Sequence, residues 1–214
     1  MSEGATNDAG PVVSAGLGSP RHILYRLWNG VLPPKVCDAI IEEFTDDDFY
    51  EAEIQRIDGT VAVELQSRHT QHVFIEPAHW TGSFVAHFAD QANLLWGLDL
   101  AGLGTLSILR YTEGSHFSWH VDVLAYEKSA YEQFAGRGTL ERKLSVTINL
   151  SDPAGYDGGD PEFLNGVGQL YTQPELRERG SVVVFPSTVG HRVTPVTRGV
   201  RHALVGWMVG PPIR

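Results

Sequence analysis

From Gly104 onward the chain is cut into short apolar runs by Gly, Pro and Asp turns, and no run holds a helical period for long. That pattern confines the fold to stacked or closed antiparallel sheets, because strands this short bury enough surface only when two layers face each other. The alternation predicts strands near 105–111, 115–122, 142–150, 161–165, 168–172, 180–185, 190–194 and 200–208. Eight such strands make a double-stranded β-helix, a cupin-like jelly roll, within a mainly β chain that has flanking helices. The connection 123–141 carries Tyr126, Tyr131 and Phe134 and is long for a hairpin, so it is expected to be a loop or helical lid.

The flanking helices come from the first half. Residues 1–20 are rich in Gly, Ala and Ser without periodicity and are expected to be a disordered tail, leaving 21–214 as a single domain. His22–Trp28 alternates as a first strand. Val36, Ala39, Ile40 and Phe44 then fall at helical spacing, with Pro34 suited to the first turn. A second helix is predicted over Thr81–Trp96, with Phe84, Val85, Phe88, Ala92 and Leu95 on one stripe. Residues 49–76 between them look β-rich. Asp46, Asp47 and Asp48 read as a solvated acidic turn, and His69, His72 and His79 share no strand parity, as expected of structural or surface histidines.

Charge and cysteine content narrow the partners. A formal net charge of −10 argues against a nucleic-acid partner, which needs basic surface. The lone Cys37 rules out an internal disulfide and fits a reducing, cytoplasmic setting. No apolar run is long enough for a membrane span, and the first residues lack a signal-peptide pattern.

The chemistry-bearing stretch is Tyr111–Asp122, which ends in His120-Val121-Asp122. On a strand, residues i and i+2 share a face, so this H-x-D aims an imidazole and a carboxylate at one point. Those are two members of a 2-His-1-carboxylate set, which holds non-haem Fe(II) with open positions. The third would be a His from another strand. By the same parity His116 and Ser118 join the His120 face, making His116 a rival ligand or a neighbour that meets substrate. Phe117, Trp119 and Val121 should pack between the sheets. On 144–150, Ser145, Thr147 and Asn149 form a polar row that needs a hydrophilic partner in the lumen. Arg142 enters that strand, and Arg142 and Arg68 are candidates for substrate contact.

Four motifs in order, R-Y-x-x-G-x-x-F-x-x-H-x-D at 110–122, L-S-V-T-I-N-L-S-D at 144–152, Y-D-G-G at 156–159 and H-R-V-T-P-V-T-R-G-V-R at 191–201, give the chain its likeness. It resembles the Fe(II)/2-oxoglutarate-dependent dioxygenases, specifically their prolyl 4-hydroxylase-like, PKHD-type branch. The resemblance implies His120, Asp122 and His191 as iron ligands, with Fe(II), 2-oxoglutarate and O2 as cofactor and cosubstrates. It makes Arg201 the anchor for the distal carboxylate of 2-oxoglutarate, with Arg198 as the rival, and Tyr111 a second contact. Asn149 aligns with a third contact, where many relatives carry tyrosine. The implied reaction is hydroxylation of an unactivated C–H bond in an amino acid or amino-acid residue, with release of CO2 and succinate. The carboxylate at Asp122 favours hydroxylation over halogenation. A natural-product or other small-metabolite substrate, or a peptide one, and a jelly-roll binding module without activity are the alternatives. The expected partner is a small molecule or peptide.

Overall fold

The computed structural model describes residues 24–212 apart from 53, 56–60, 63–65, 124 and 127–137. The tail expected over 1–20 and most of the lid expected over 123–141 lie outside those residues.

Two antiparallel sheets face each other as a double-stranded β-helix. In the larger sheet Arg26–Trp28, Val182–Pro186, Leu140–Asn149, Arg201–Gly210, Gly102–Tyr111, Gln71–Ile75 and Tyr50–Glu51 lie side by side in that order. Ala125–Tyr126 adds to Leu140–Asn149, with Tyr126 opposite Leu140. The smaller sheet runs Leu170–Tyr171, Pro161–Leu164, Gly190–Val193, His116–His120 and Arg68–His69. The strands expected from alternation are present with shifted ends. Among the described residues two further short pairs, Tyr156–Gly158 with Val196–Gly199 and Ile54–Gln55 with Val61–Ala62, were not individually legible, because two to four residues carry no period.

Period-2 alternation divides the larger sheet into two chemically distinct faces. Leu144, Val146 and Ile148, with Leu106, Ile108 and Leu204, pack outward against helices Pro34–Glu42 and Gly82–Trp96 through Cys37, Ile40, Val85 and Ala89. The approach is close: a Cβ on Gly206 would come within 2.7 Å of Val85 Cγ1. Ser145, Thr147, Leu109, Tyr111, Ala203 and Val205 face inward, toward the space between the sheets. This outer apolar layer stiffens the sheet that carries Arg201. The acidic run Asp46–Asp48 is an exposed 3-10 turn capped by Thr45.

Candidate metal centre

His120 at the end of its strand and Asp122 just beyond it converge with His191 from a neighbouring strand. His191 on Gly190–Val193 is directly opposite His120 on His116–His120. Their donor atoms, with a carboxylate oxygen of Asp122, all lie within 4.8 Å of one another. Asp122 Oδ1 is 3.5 Å from His120 Nε2, and Asp122 Oδ2 is 3.5 Å from His191 Nε2. Each imidazole is oriented from behind. His120 Nδ1–H donates to the Ser118 carbonyl at 2.8 Å and His191 Nδ1–H to the Val189 carbonyl at 3.0 Å. Both Nε2 lone pairs are thereby turned inward, as a metal ligand requires.

Asp122 is held just as firmly. Its Oδ2 accepts from Ser145 Oγ at 2.7 Å and from Trp207 Nε1 at 2.9 Å, and Ser145 is linked in turn to Ser187 at 2.9 Å. Burial works to raise its pKa, but His191, His120 and Arg142 overcome this and hold the carboxyl well below the usual carboxylate range. Burial pushes His191 down to about 4, with Asp122 opposing, so this imidazole is neutral near pH 7. Two imidazoles and an ionised carboxylate are the donor set that fits Fe(II).

The triad opens into a cavity of about 570 Å³ between the sheets. Arg201 lines it at 1% exposure, opposite Tyr111 in the strand register. Its Nε has no hydrogen-bond partner among the described residues. The wall's single carboxylate among those residues, Asp122, is already engaged. A buried guanidinium in that position fits an incoming carboxylate, which it can meet with two charge-assisted hydrogen bonds. Tyr111 is 1% exposed, and burial raises its phenol pKa. The rival Arg198 lies outside the cavity and pairs with Asp157 at 2.6 Å. The Y-D-G-G motif explains itself here. Gly159 has φ +64, and a Cβ on it would stand 3.1 Å from Arg201 Cδ and 2.9 Å from Val196 Cγ2.

Other sequence expectations need correction. The shared face of His116 and His120 is broken by a register shift between His191 and Val193. His116 is therefore absent from the cavity wall, and its ring nitrogens lie 3.2 Å from the Gly114 and Gln66 carbonyls. Phe117 instead stacks on His120, centroids 3.5 Å apart, while Trp119 and Val121 are exposed rather than packed between the sheets. Asn149 is buried behind Arg201, outside the main cavity, and its amide donates to the Ser151 and Arg177 carbonyls. Arg68 and Arg142 do line the cavity. Of the three scattered histidines His72 also reaches it, whereas His79 pairs with Glu43. Sequence reasoning passed over Ser187 and Arg177, and it put Trp207 on the face of Arg201 without linking it to Asp122. Arg177 ties down the glycine turn through Gly158 O and Asp160.

Residues 106–209 match the profile of the 2OG-Fe(II) oxygenase superfamily. A PKHD-type hydroxylase of Xanthomonas euvesicatoria is 38% identical over 99 residues, 46% of this chain and 40% of that protein. The chain thus spans about 40% of the length of the curated relatives it matches. A Pseudomonas putida prolyl-4-hydroxylase superposes with a TM-score of 0.64 at 21% identity, over 86% of this chain and 91% of that one. A 2-oxoglutarate-dependent carbocyclase from nogalamycin biosynthesis superposes at 0.60 with 17% identity, covering 88% and 80%.

Proposed function

Because this chain is related through residues 106–209 to the 2OG-Fe(II) oxygenases and their PKHD-type branch, we propose that it is itself an Fe(II)- and 2-oxoglutarate-dependent hydroxylase. The observation that carries the reading is the pairing of the His120–Asp122–His191 cluster with a buried, cavity-facing Arg201. In this reading the three side chains hold the metal, and Arg201 with Tyr111 grips the far carboxylate of 2-oxoglutarate. Fe(II), when bound with 2-oxoglutarate and O2, supplies the oxidising power to hydroxylate a C–H bond while CO2 and succinate are released.

The chain's own part is orientation and exclusion. Ser145 and Trp207 fix the Asp122 carboxylate. The Ser118 and Val189 carbonyls accept from the Nδ1–H of His120 and His191 and so turn each Nε2 inward. Phe117 and Phe185 close over the imidazoles, the former stacked and the latter edge-on at 4.6 Å, which keeps water from their faces. The substrate in this reading is an amino acid or amino-acid residue, in keeping with the PKHD-type and prolyl hydroxylase relatives. A small metabolite is the second reading, favoured by the two further guanidinium groups of Arg68 and Arg142 in the cavity wall. Residues 21–214 act as one catalytic unit, in a reducing cytoplasm suited to Fe(II) and to the buried thiol of Cys37.

The test is iron content and succinate formation from 2-oxoglutarate by the purified protein. His120→Ala, Asp122→Ala and His191→Ala should each abolish turnover and lower bound iron while the fold persists. Full activity with iron retained in any one of them would remove that residue from the ligand set.

A further inference from the structure

Taking the hydroxylase reading as given, we infer that Ser107 and His72 form an uncharged hydrogen-bonding subsite for the primary substrate. It takes a carboxamide or a hydroxyl carried on an apolar body.

Ser107 and His72 are 1% and 5% exposed, and both line the cavity. Ser107 Oγ and His72 Nε2 have no hydrogen-bond partner among the described residues. A polar group buried in that way is costly unless something meets it, and the cavity is where a partner can reach these two. The strand register sets them together. Phe74 stands opposite Ser107 and His72 opposite Leu109, so Ser107 and His72 are diagonal neighbours on one face. Such positions are about 7–8 Å apart, close enough for one small group to meet both side chains. Ser107 also pairs with Val205, which lies on its strand between Arg201 and Trp207. Arg201 is the proposed anchor and the Trp207 indole meets Asp122, so the subsite flanks the path from anchor to metal centre.

The chemistry of the pair is neutral. A hydroxyl both donates and accepts, and a neutral imidazole Nε2 does one or the other according to its tautomer. Burial, with Arg68 adding to it, lowers His72 to about 4, so the ring has no charge near pH 7 to offer an anion. A cation fares no better, because Asp122 is the wall's single carboxylate among the described residues and is already engaged. A carboxamide or a hydroxyl, with a donor and an acceptor of its own, fits both groups at once. The rings of Tyr50 and Phe74 each stand with centroids 4.4 Å from that of His72 and hold the imidazole in place. Both are about half exposed and line the cavity, which gives the rest of the molecule an apolar surface.

The experiment is anaerobic calorimetry on the Fe(II)-loaded protein saturated with 2-oxoglutarate. One series is hydrocinnamamide, its anionic counterpart hydrocinnamate and the hydrocarbon of the same shape, isopentylbenzene. The other is phenethyl alcohol, its cationic counterpart phenethylamine and propylbenzene. The amide or the alcohol should bind about tenfold or more tightly than its hydrocarbon and its ion, as expected of two neutral hydrogen bonds in a buried site. Whichever shows the larger preference identifies the group. Ser107→Ala and His72→Phe should each erase most of that preference, leaving the affinity for the hydrocarbon and for 2-oxoglutarate unchanged. His72→Gln, which restores a neutral donor and acceptor, should recover part of it. Ser107→Ala should also keep its urea midpoint at or above that of the wild type, because the lost hydroxyl has no partner among the described residues. The inference falls if that midpoint drops, if neither polar probe outbinds its hydrocarbon, if an ion outbinds both, if the preference survives both substitutions, or if the variants lose 2-oxoglutarate instead. Succinate formation by the wild type is measured alongside. Its absence would sink the hydroxylase reading, whereas its presence without a preference for the polar probes would sink this inference alone.

Discussion

Arg201 and Arg198 are three residues apart and chemically identical, yet the fold gives them opposite surroundings. Arg198 is exposed and bound to Asp157, while Arg201 is 1% exposed with its Nε unpartnered among the described residues. Arg201→Ala should therefore weaken 2-oxoglutarate binding on the order of a hundredfold or more, since breaking a buried pair costs about 3–5 kcal/mol. Arg198→Ala should change it by less than about twofold, as expected of an exposed ion pair. Titrating 2-oxoglutarate into both variants checks the contrast, and a loss confined to Arg198→Ala would exchange their roles. The family resemblance of the 191–201 motif was enough to prefer Arg201 from sequence. Asn149 was not separable in that way, because a polar residue on the right parity reads the same whether it meets a ligand or two backbone carbonyls.

Strands and their alternation were legible because the outer face of the larger sheet is packed on two helices, which forces Leu144, Val146 and Ile148 to one side. What alternation could not show is where it stops. Register shifts occur between Arg142 and Leu144, between Gly206 and Met208, and between His191 and Val193. These three lie beside residues of the cavity wall, while a fourth, between Asp157 and Gly158, lies in the glycine turn. A bulge adds one residue to one strand and leaves no period of its own in a single sequence, so the positions of Phe117, His116 and Arg142 all came out differently from simple parity. Partners of Asp122 were hidden for another reason. Trp207 is 85 residues away in the chain, and only the closed arrangement of the two sheets brings the indole to the carboxylate.

Across the whole molecule, two histidines outside the metal centre set the response to acid. Burial lowers His72 to about 4, helped by Arg68, and burial lowers His202 to about 4, helped by Arg110 and Arg201. Both are depressed below their ordinary 6.5, so the unfolded chain binds more protons between these values. Stability should be full above about pH 6.5, fall as pH drops, and level off for these groups below about pH 4. At about 1.4 kcal/mol per pH unit, His72 alone contributes up to about 3 kcal/mol of that loss. Urea midpoints at pH 7, 6, 5 and 4 measure it, and His72→Phe, which preserves ring contact with Tyr50 and Phe74, should flatten the slope. An unchanged slope would show that the loss arises elsewhere. Among the described residues no helix is long and apolar enough to cross a membrane.

The bond from Trp207 to Asp122 has an optical consequence. An indole whose N–H donates to the carboxylate proposed as a metal ligand, and whose ring is capped by Arg142 at 3.7 Å, senses the charge at that carboxylate directly. Loading the centre with a divalent ion should shift the emission of this one tryptophan among the five in the chain. Trp207→Phe should abolish that signal, which would make occupancy readable by fluorescence without any label or turnover.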